Sequence, residues 1–417
     1  MRLHGRLAEL ARLGATGEGI DRGLFTPAER AARERLASWC RAAGLRLEQD
    51  RVGNLFARLD APGAAGGAPI QCGSHLDTVR NGGAYDGAYG VVGGLEALQR
   101  IAASGRPLQR SLEVVAWAGE EGSRFPLGCL GSSVYAGQTA YDAAAALVAD
   151  DGESFGAAVR GPNGLLDGVP VRDGFPPPAA YVELHVEQGP VMENCGARLG
   201  IVSAIAGQRR FQVAIEGVAG HSGTVPMTHR ADALCAASEL VLAVERAALA
   251  ASDTVATVGQ LVVDPNQTNI IPGHVLLRID LRSIDDGRIA AVDARIRDEA
   301  AQVAQTRGLR IGVTLLESRP AVTMAPPMRS LVRAACLERD PQAVDIVSGA
   351  GHDAMCVAAV APVGMIFVPS IGGRSHVGDE RTEPADLELG VDALVAVLLA
   401  AASAAVGGSG AVGASDA

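Results

Sequence analysis

A change of rhythm in the middle of the chain constrains the fold most. RFQVAIEGVAG (210–220) alternates apolar and polar residues, as a half-exposed strand does, and HRADALCAASELVLAVERAALA (229–250) follows with the period of an amphipathic helix. DTVATVGQLVVDP (253–265) and HVLLRIDLRSI (274–284) read as strands, DGRIAAVDARIRDEAAQVAQTRG (286–308) as a helix and LRIGVTLLES (309–318) as a strand. The order β-α-β-β-α-β is that of a ferredoxin-like, split βαβ unit. On either side the pattern differs. PIQCGSHLD (69–77), SLEVVAWAGEEG (111–122), YVELHVEQG (181–189) and VGMIFVPS (363–370) are short apolar runs, and helical segments such as 26–44 and 90–104 lie among them. Buried strands alternating with helices predict an α/β domain, with a mainly parallel sheet and helices on both faces. The expected organisation is a catalytic domain of residues 1–208 and 326–406, an inserted α+β lid and dimerisation domain of residues 209–325, and a flexible tail at 407–417.

Length supports two domains, since the chain has 417 residues and single cores rarely grow beyond about 250–300. Aromatic residues are only 3%, so Ala, Val, Leu and Ile must build the core. A net charge of −11 without a Lys/Arg cluster argues against nucleic acid as a partner. No apolar run is long enough for a membrane span. Seven widely spaced cysteines with no CxxC read as reduced thiols in a cytoplasm.

Chemistry concentrates where the flanking strands end. In GSHLDTVRNGGAYDGAYG (73–90), His75 and Asp77 sit two apart and so face the same way, and the glycines let the backbone carry Asp86 back toward them. Glu120 and Glu121 end the next strand; Glu183, His185 and Glu187 share one face of another; His376 follows the last. Each has a plain alternative taken singly: a loop histidine for His75, a helix cap for Asp86, a solvated turn for Glu120-Glu121. Ligands of α/β sheets bind outside the carboxyl ends of the strands, and here histidines and carboxylates converge on that location. Two histidine-bearing half-sites joined by a carboxylate describe a two-metal centre. Imidazole and carboxylate together suit Zn²⁺, Mn²⁺, Co²⁺ or Ni²⁺.

The chain resembles the amidase branch of the dinuclear aminoacylase/carboxypeptidase-type metallohydrolases. That branch comprises N-carbamoyl-L-amino acid hydrolases, β-ureidopropionases and allantoate amidohydrolases. The matching segments include GSHLDTVRNGGAYDGAYG, EEGSRFPLGCLGS, YVELHVEQGPVME, AIAGQRRF, AGHSGTVPM, NQTNIIPG, SGAGHDAM and IFVPSIGGRSH, spread over about residues 73–376. The resemblance implies two divalent ions per chain, with His75 and His185 on one, Glu121 and His376 on the other, and Asp86 between them. It implies Glu120 as general base and acid, and Asp77 behind His75, orienting it as carboxylates do for ligating histidines. Gln208, His221, Asn269, Arg282 and Gly373 would contact the substrate, with His221 facing the oxygen that gains charge. Without the resemblance, Arg282 reads as a surface ion pair. His352 and Asp353 would support the metal site from behind, while His4, His229 and His274 have no chemical context.

The implied reaction is hydrolysis of a carbamoyl or ureido C–N bond in a small carboxylate-bearing substrate, an N-carbamoyl-L-amino acid being favoured. Allantoate is the alternative substrate, and aminoacylase or dipeptidase activity a further one. An inactive binding protein on the same fold is the reading from another class; it predicts a missing ligand or base, and all six positions are present. A homodimer through the inserted domain is implied as well.

Overall fold

In a computed structural model of the protein, residues 2–61, 67–172, 174 and 176–403 are described, and the expected tail at 407–417 lies outside them. The chain divides into two compact units, one of residues 1–203, 324–346 and 351–417, the other of residues 204–323 and 347–350. The second unit therefore begins a few residues before the expected boundary and takes in a short later segment.

In the first unit, four strands run parallel at the centre of the sheet, in the order Leu112–Trp117, Ile70–His75, Ala180–Val186, Val363–Val368. Every residue of these strands is buried, Gln71, Glu113, Glu183 and His185 included, so both faces of the sheet are covered. The sheet's flanks are antiparallel. Arg46–Gln49 and Leu55–Leu59 form a hairpin that pairs with Leu112–Trp117, and Gly200–Ile205 pairs with Val363–Val368. Along Ala180–Val186, Val182, Leu184 and Val186 join the core built by helices Ala88–Ser104, Pro326–Arg339 and Pro384–Ser403. Strand alternation sends Tyr181, Glu183 and His185 to the opposite face. There the short helix Asp353–Val357 begins, and the Ala354 N–H donates to Glu183.

Helix Pro27–Ala42 forms where its end signals place it. Thr26 accepts from the Glu29 N–H as N-cap, and Pro27 stands at the first position, where its missing N–H costs nothing.

The second unit carries a four-stranded antiparallel sheet in the order Arg310–Arg319, Gly207–Glu216, His274–Ser283, Thr254–Asp264. Counted along the chain this is fourth, first, third, second, the ferredoxin-like arrangement. Helices Ala233–Leu249 and Asp286–Arg307 cover one face and share a core with Phe211, Val213, Leu277 and Ile279. Residues two apart point the same way on a strand, so Gln208, Arg210, Arg278, Asp280 and Arg282 occupy the face away from the helices. All seven cysteines are free thiols, five of them buried. Among the described residues no helix is long and apolar enough to cross a membrane.

Candidate metal centre

His75, Asp77, Asp86, Glu120, Glu121, His185 and His376 all belong to the first unit. His75 ends its strand, and its Nδ1–H donates to the Asp77 carbonyl oxygen at 3.0 Å. His185 donates from Nδ1 to the Val186 carbonyl at 2.9 Å, and its Nε2 accepts from the Gly87 N–H. Both rings thus commit Nδ1–H to a carbonyl and turn Nε2 toward Asp86, which makes Nε2 the atom that could take a metal.

Asp86 lies between the donors. Its Oδ1 is 3.5 Å from His75 Nε2 and 3.2 Å from His185 Nε2, while its Oδ2 is 3.3 Å from His376 Nε2. His376 Nε2 is in turn 3.6 Å from Glu121 Oε2. Donors about 2.0–2.1 Å from one tetrahedral ion stand about 3.4 Å apart, and these separations fit that better than a set of direct hydrogen bonds. The ligand atoms of His75, Asp86 and His185, and separately of Asp86, Glu121 and His376, lie within 4.8 Å of one another. The charge balance also asks for cations. Burial, followed by the charges of Asp86 and Glu120, drives the Glu121 carboxyl well above its ordinary range, and burial raises Glu120 too. The residues present therefore fit a pair of divalent ions.

The glycines of this segment have specific reasons. Gly87 lies at φ +63°, and a Cβ there would stand 2.4 Å from the His75 ring. A Cβ on Gly83 would meet the Glu380 carboxylate at 2.4–2.5 Å. Gly105 has a similar φ of +65° but sits in the ordinary left-handed region at ψ 11°, with nothing within 4 Å of its would-be Cβ, whereas Gly87 has ψ −52°. Gly87→Ala is expected to cost about 2–4 kcal/mol, from the positive-φ backbone and the overlap together. Gly105→Ala should cost about 1–2 kcal/mol from the backbone alone. Thermal melts of both variants check the difference.

Asp77 and Glu187 differ from their expected place. The Asp77 carboxylate was expected behind His75, yet its Oδ1 stands 3.7 Å from the ring, and its backbone carbonyl makes the close contact. The carboxylate instead accepts the N–H groups of Glu120 and Glu121, each at 3.2 Å, and so fixes the turn that presents both acids. Glu187 lies one residue past its strand and caps helix Val191–Cys195, accepting from the Val191 and Met192 N–H groups. His352 packs against His185 with ring centroids 4.6 Å apart. Asp353 is fully buried, accepts from Ser132, and is pushed well above the usual carboxylate range by burial and the charges of Glu183 and Glu120. Gly373 lies at φ +62° against the Pro190 backbone, where a Cβ would come within 2.7 Å.

Three residues near Asp86 were given no role by the sequence. Gln188 donates from Nε2 to Asp86 Oδ2 at 2.8 Å, and Ser375 donates to the same oxygen at 3.2 Å. Glu380 accepts the N–H groups of Tyr85 and Asp86, so it holds the returning turn by its main chain. Gln188 and His376 adopt positive φ values of 62° and 59°, a strained backbone that lets both side chains reach Asp86.

Gln208, His221, Asn269 and Arg282 belong to the second unit. His221 is exposed and its Nδ1 accepts from the Gly223 N–H, which leaves Nε2–H as a free-facing donor. The Asn269 carbonyl accepts from the neighbouring Ser222 N–H. Arg282 stands opposite Gln208 in the sheet register.

Residues 72–400 match the model of the peptidase family M20/M25/M40. An N-carbamoyl-L-amino-acid amidohydrolase of Paenarthrobacter aurescens is 39% identical over 96% of this chain and 97% of its own length. A ureidoglycolate hydrolase of Arabidopsis thaliana is 35% identical over 94% of this chain and 84% of its own. Among solved structures, a hydantoinase/carbamoylase family amidase from Burkholderia multivorans superposes with a TM-score of 0.89 at 38% identity, covering 96% of this chain and 97% of that one. A family match over most of the chain, and relatives this similar along nearly its whole length, show that the protein belongs to the peptidase family M20/M25/M40.

Proposed function

We propose that the protein hydrolyses N-carbamoyl-L-amino acids at a centre of two divalent ions, releasing the amino acid, CO₂ and ammonia. It is a metal-dependent amidohydrolase acting on non-peptide C–N bonds. The observation that carries the two-ion reading is the division of Asp86, with Oδ1 toward His75 and His185 and Oδ2 toward His376. Zn²⁺ or Mn²⁺ suits this donor set, and Co²⁺ or Ni²⁺ fits it too. Such ions supply a water that is acidic at neutral pH and polarise the carbonyl under attack.

The chain's own residues do the rest. Glu120, mostly buried and steadied by the Cys129 thiol, takes the water's proton and returns it to the departing nitrogen. The Nε2–H of His221 donates to the oxygen that becomes negative as the carbon turns tetrahedral. Arg282 takes the substrate carboxylate, with Asn269, Gln208 and Gly373 as further contacts.

A ureide carboxylate such as allantoate is the second reading, supported by the ureidoglycolate hydrolase among the relatives. Both substrates place a carboxylate beside a ureido nitrogen. We also infer a homodimer through the second unit and a cytoplasmic setting. The edge strand Thr254–Asp264 leaves Val255, Leu261 and Val262 exposed, which supports the dimer, and the seven free thiols support the compartment.

The deciding experiment gives Mn²⁺- or Zn²⁺-loaded protein N-carbamoyl-L-amino acids, N-carbamoyl-β-alanine, allantoate and N-acetyl amino acids, and follows ammonia and amino acid release. Highest kcat/KM on a carbamoyl-L-amino acid is expected. Preference for allantoate would move the protein to the second reading, and preference for an N-acetyl amino acid would overturn both.

A further inference from the structure

On the face of the second unit's sheet away from its helices, one carboxylate gathers three side chains. Asp280 accepts from Gln208 Nε2 and from Arg210 Nε, and it takes Arg282 along one edge of the guanidinium, with Nε to Oδ1 at 2.8 Å and Nη2 to Oδ2 at 3.1 Å. Arg282 Nη1 donates to the Gly349 carbonyl at 2.6 Å. All of these residues lie within the second unit.

The donors of Arg282 can be followed one by one. A guanidinium has five N–H groups in a fixed plane. The Nε–H and the adjacent Nη2–H face Asp280, and one Nη1–H faces Gly349. One N–H is left over on each Nη; the one on Nη2 lies at the tip of the fork, where a guanidinium presents one N–H from each Nη in parallel. A parallel pair of N–H donors is the complement of a single carboxylate bound bidentately. A charged partner along the side edge also stops the guanidinium from turning that edge to the ligand.

We propose that Asp280 is a positioning residue that locks Arg282 with only its tip open, making the second unit selective for ligands with one planar carboxylate. Asp280 acts through Arg282 and Gln208 and touches no reacting atom. The cations beside it hold its own carboxyl below the ordinary range, so it stays charged in the working pH range. The inference rests on the assignment of Arg282 to the substrate carboxylate.

The test compares an N-carbamoyl-L-amino acid with its carboxamide, on wild type, Asp280→Asn and Asp280→Glu. Asp280→Asn is expected to raise KM for the acid about tenfold or more, as the loss of a charge-assisted pair does, with kcat nearly unchanged and the carboxamide unaffected. Asp280→Glu keeps the charge and should show a smaller rise confined to the acid. Equal losses on acid and carboxamide would make Asp280 merely structural, and no loss with either variant would remove it. Calorimetric titration of the same two compounds separates this from the reaction itself. A wild type that binds the acid more tightly than the carboxamide but turns over neither would sink the proposed reaction, while weaker acid binding in the Asp280 variants would still uphold the positioning role. A wild type that binds both equally would overturn the carboxylate slot.

Discussion

Glu120→Gln is expected to lower kcat by about 10²–10⁴-fold, the usual contribution of a positioned proton carrier, and to leave bound metal unchanged. The substitution keeps the side chain's length and removes its ability to take a proton. It also leaves His75, Asp86, Glu121, His185 and His376, the groups assigned to the ions, untouched. Glu120 is separated from them in function by the turn that presents it. The Asp77 carboxylate binds the N–H groups of Glu120 and Glu121 alike, so the two consecutive side chains leave the main chain in different directions. Glu121 faces His376, while Glu120 faces His75 and the Cys129 thiol. Metal content by elemental mass spectrometry and turnover by ammonia release are the paired measurements. Activity near wild type would remove Glu120 as the base, and loss of metal would make it a ligand instead.

The parts of this site that were legible in the sequence are those carried by strand ends. A buried apolar run that stops at a histidine or a pair of acids places those groups at the carboxyl edge of a parallel sheet, and His75, Glu120-Glu121 and His185 could be placed by that rule alone. The ferredoxin-like unit was legible for a related reason, since its half-exposed strands and amphipathic helices carry clear periods. The antiparallel flanks were not. Arg46–Gln49 and Leu55–Leu59 are only four and five residues long, too short to show a period. Glu380 was invisible because its work is long-range. It sits in a charged turn, VGDERT, and grips the backbone at Tyr85 and Asp86, nearly three hundred residues earlier. Asp77 shows another limit of sequence. Its spacing from His75 was right, but spacing does not say whether the carbonyl or the carboxylate will meet the ring.

Asp86→Asn tests the two-ion reading more severely. Asp86 is 4% exposed, and its carboxylate accepts from Gln188 and Ser375 besides facing the three histidines. Asn has nearly the same shape but offers one acceptor oxygen and an NH₂ group, so whichever way it turns, one side of the centre meets a donor in place of a lone pair. Metal content is expected to fall from two ions per chain to one or fewer, and activity to fall by more than the 10–100-fold usual for a residue that only supports a ligand. Stability gives an independent reading. An ion that binds only the folded chain stabilises it by about 2.7 kcal/mol at a concentration a hundred times its Kd. Removing metal from the wild type with a chelator should therefore lower Tm, and adding back Mn²⁺ or Zn²⁺ should restore it. In Asp86→Asn the same additions should restore little, because the side chain assigned to both ions is gone. The metal-free variant should itself melt lower than the metal-free wild type, since against the cost of burial the three histidines hold the Asp86 carboxyl well below its ordinary range and Gln188 and Ser375 donate to it. A variant that still holds two ions and melts like the loaded wild type would show that Asp86 does not join them, and the centre would then have to be built from the histidines and Glu121 without a bridge.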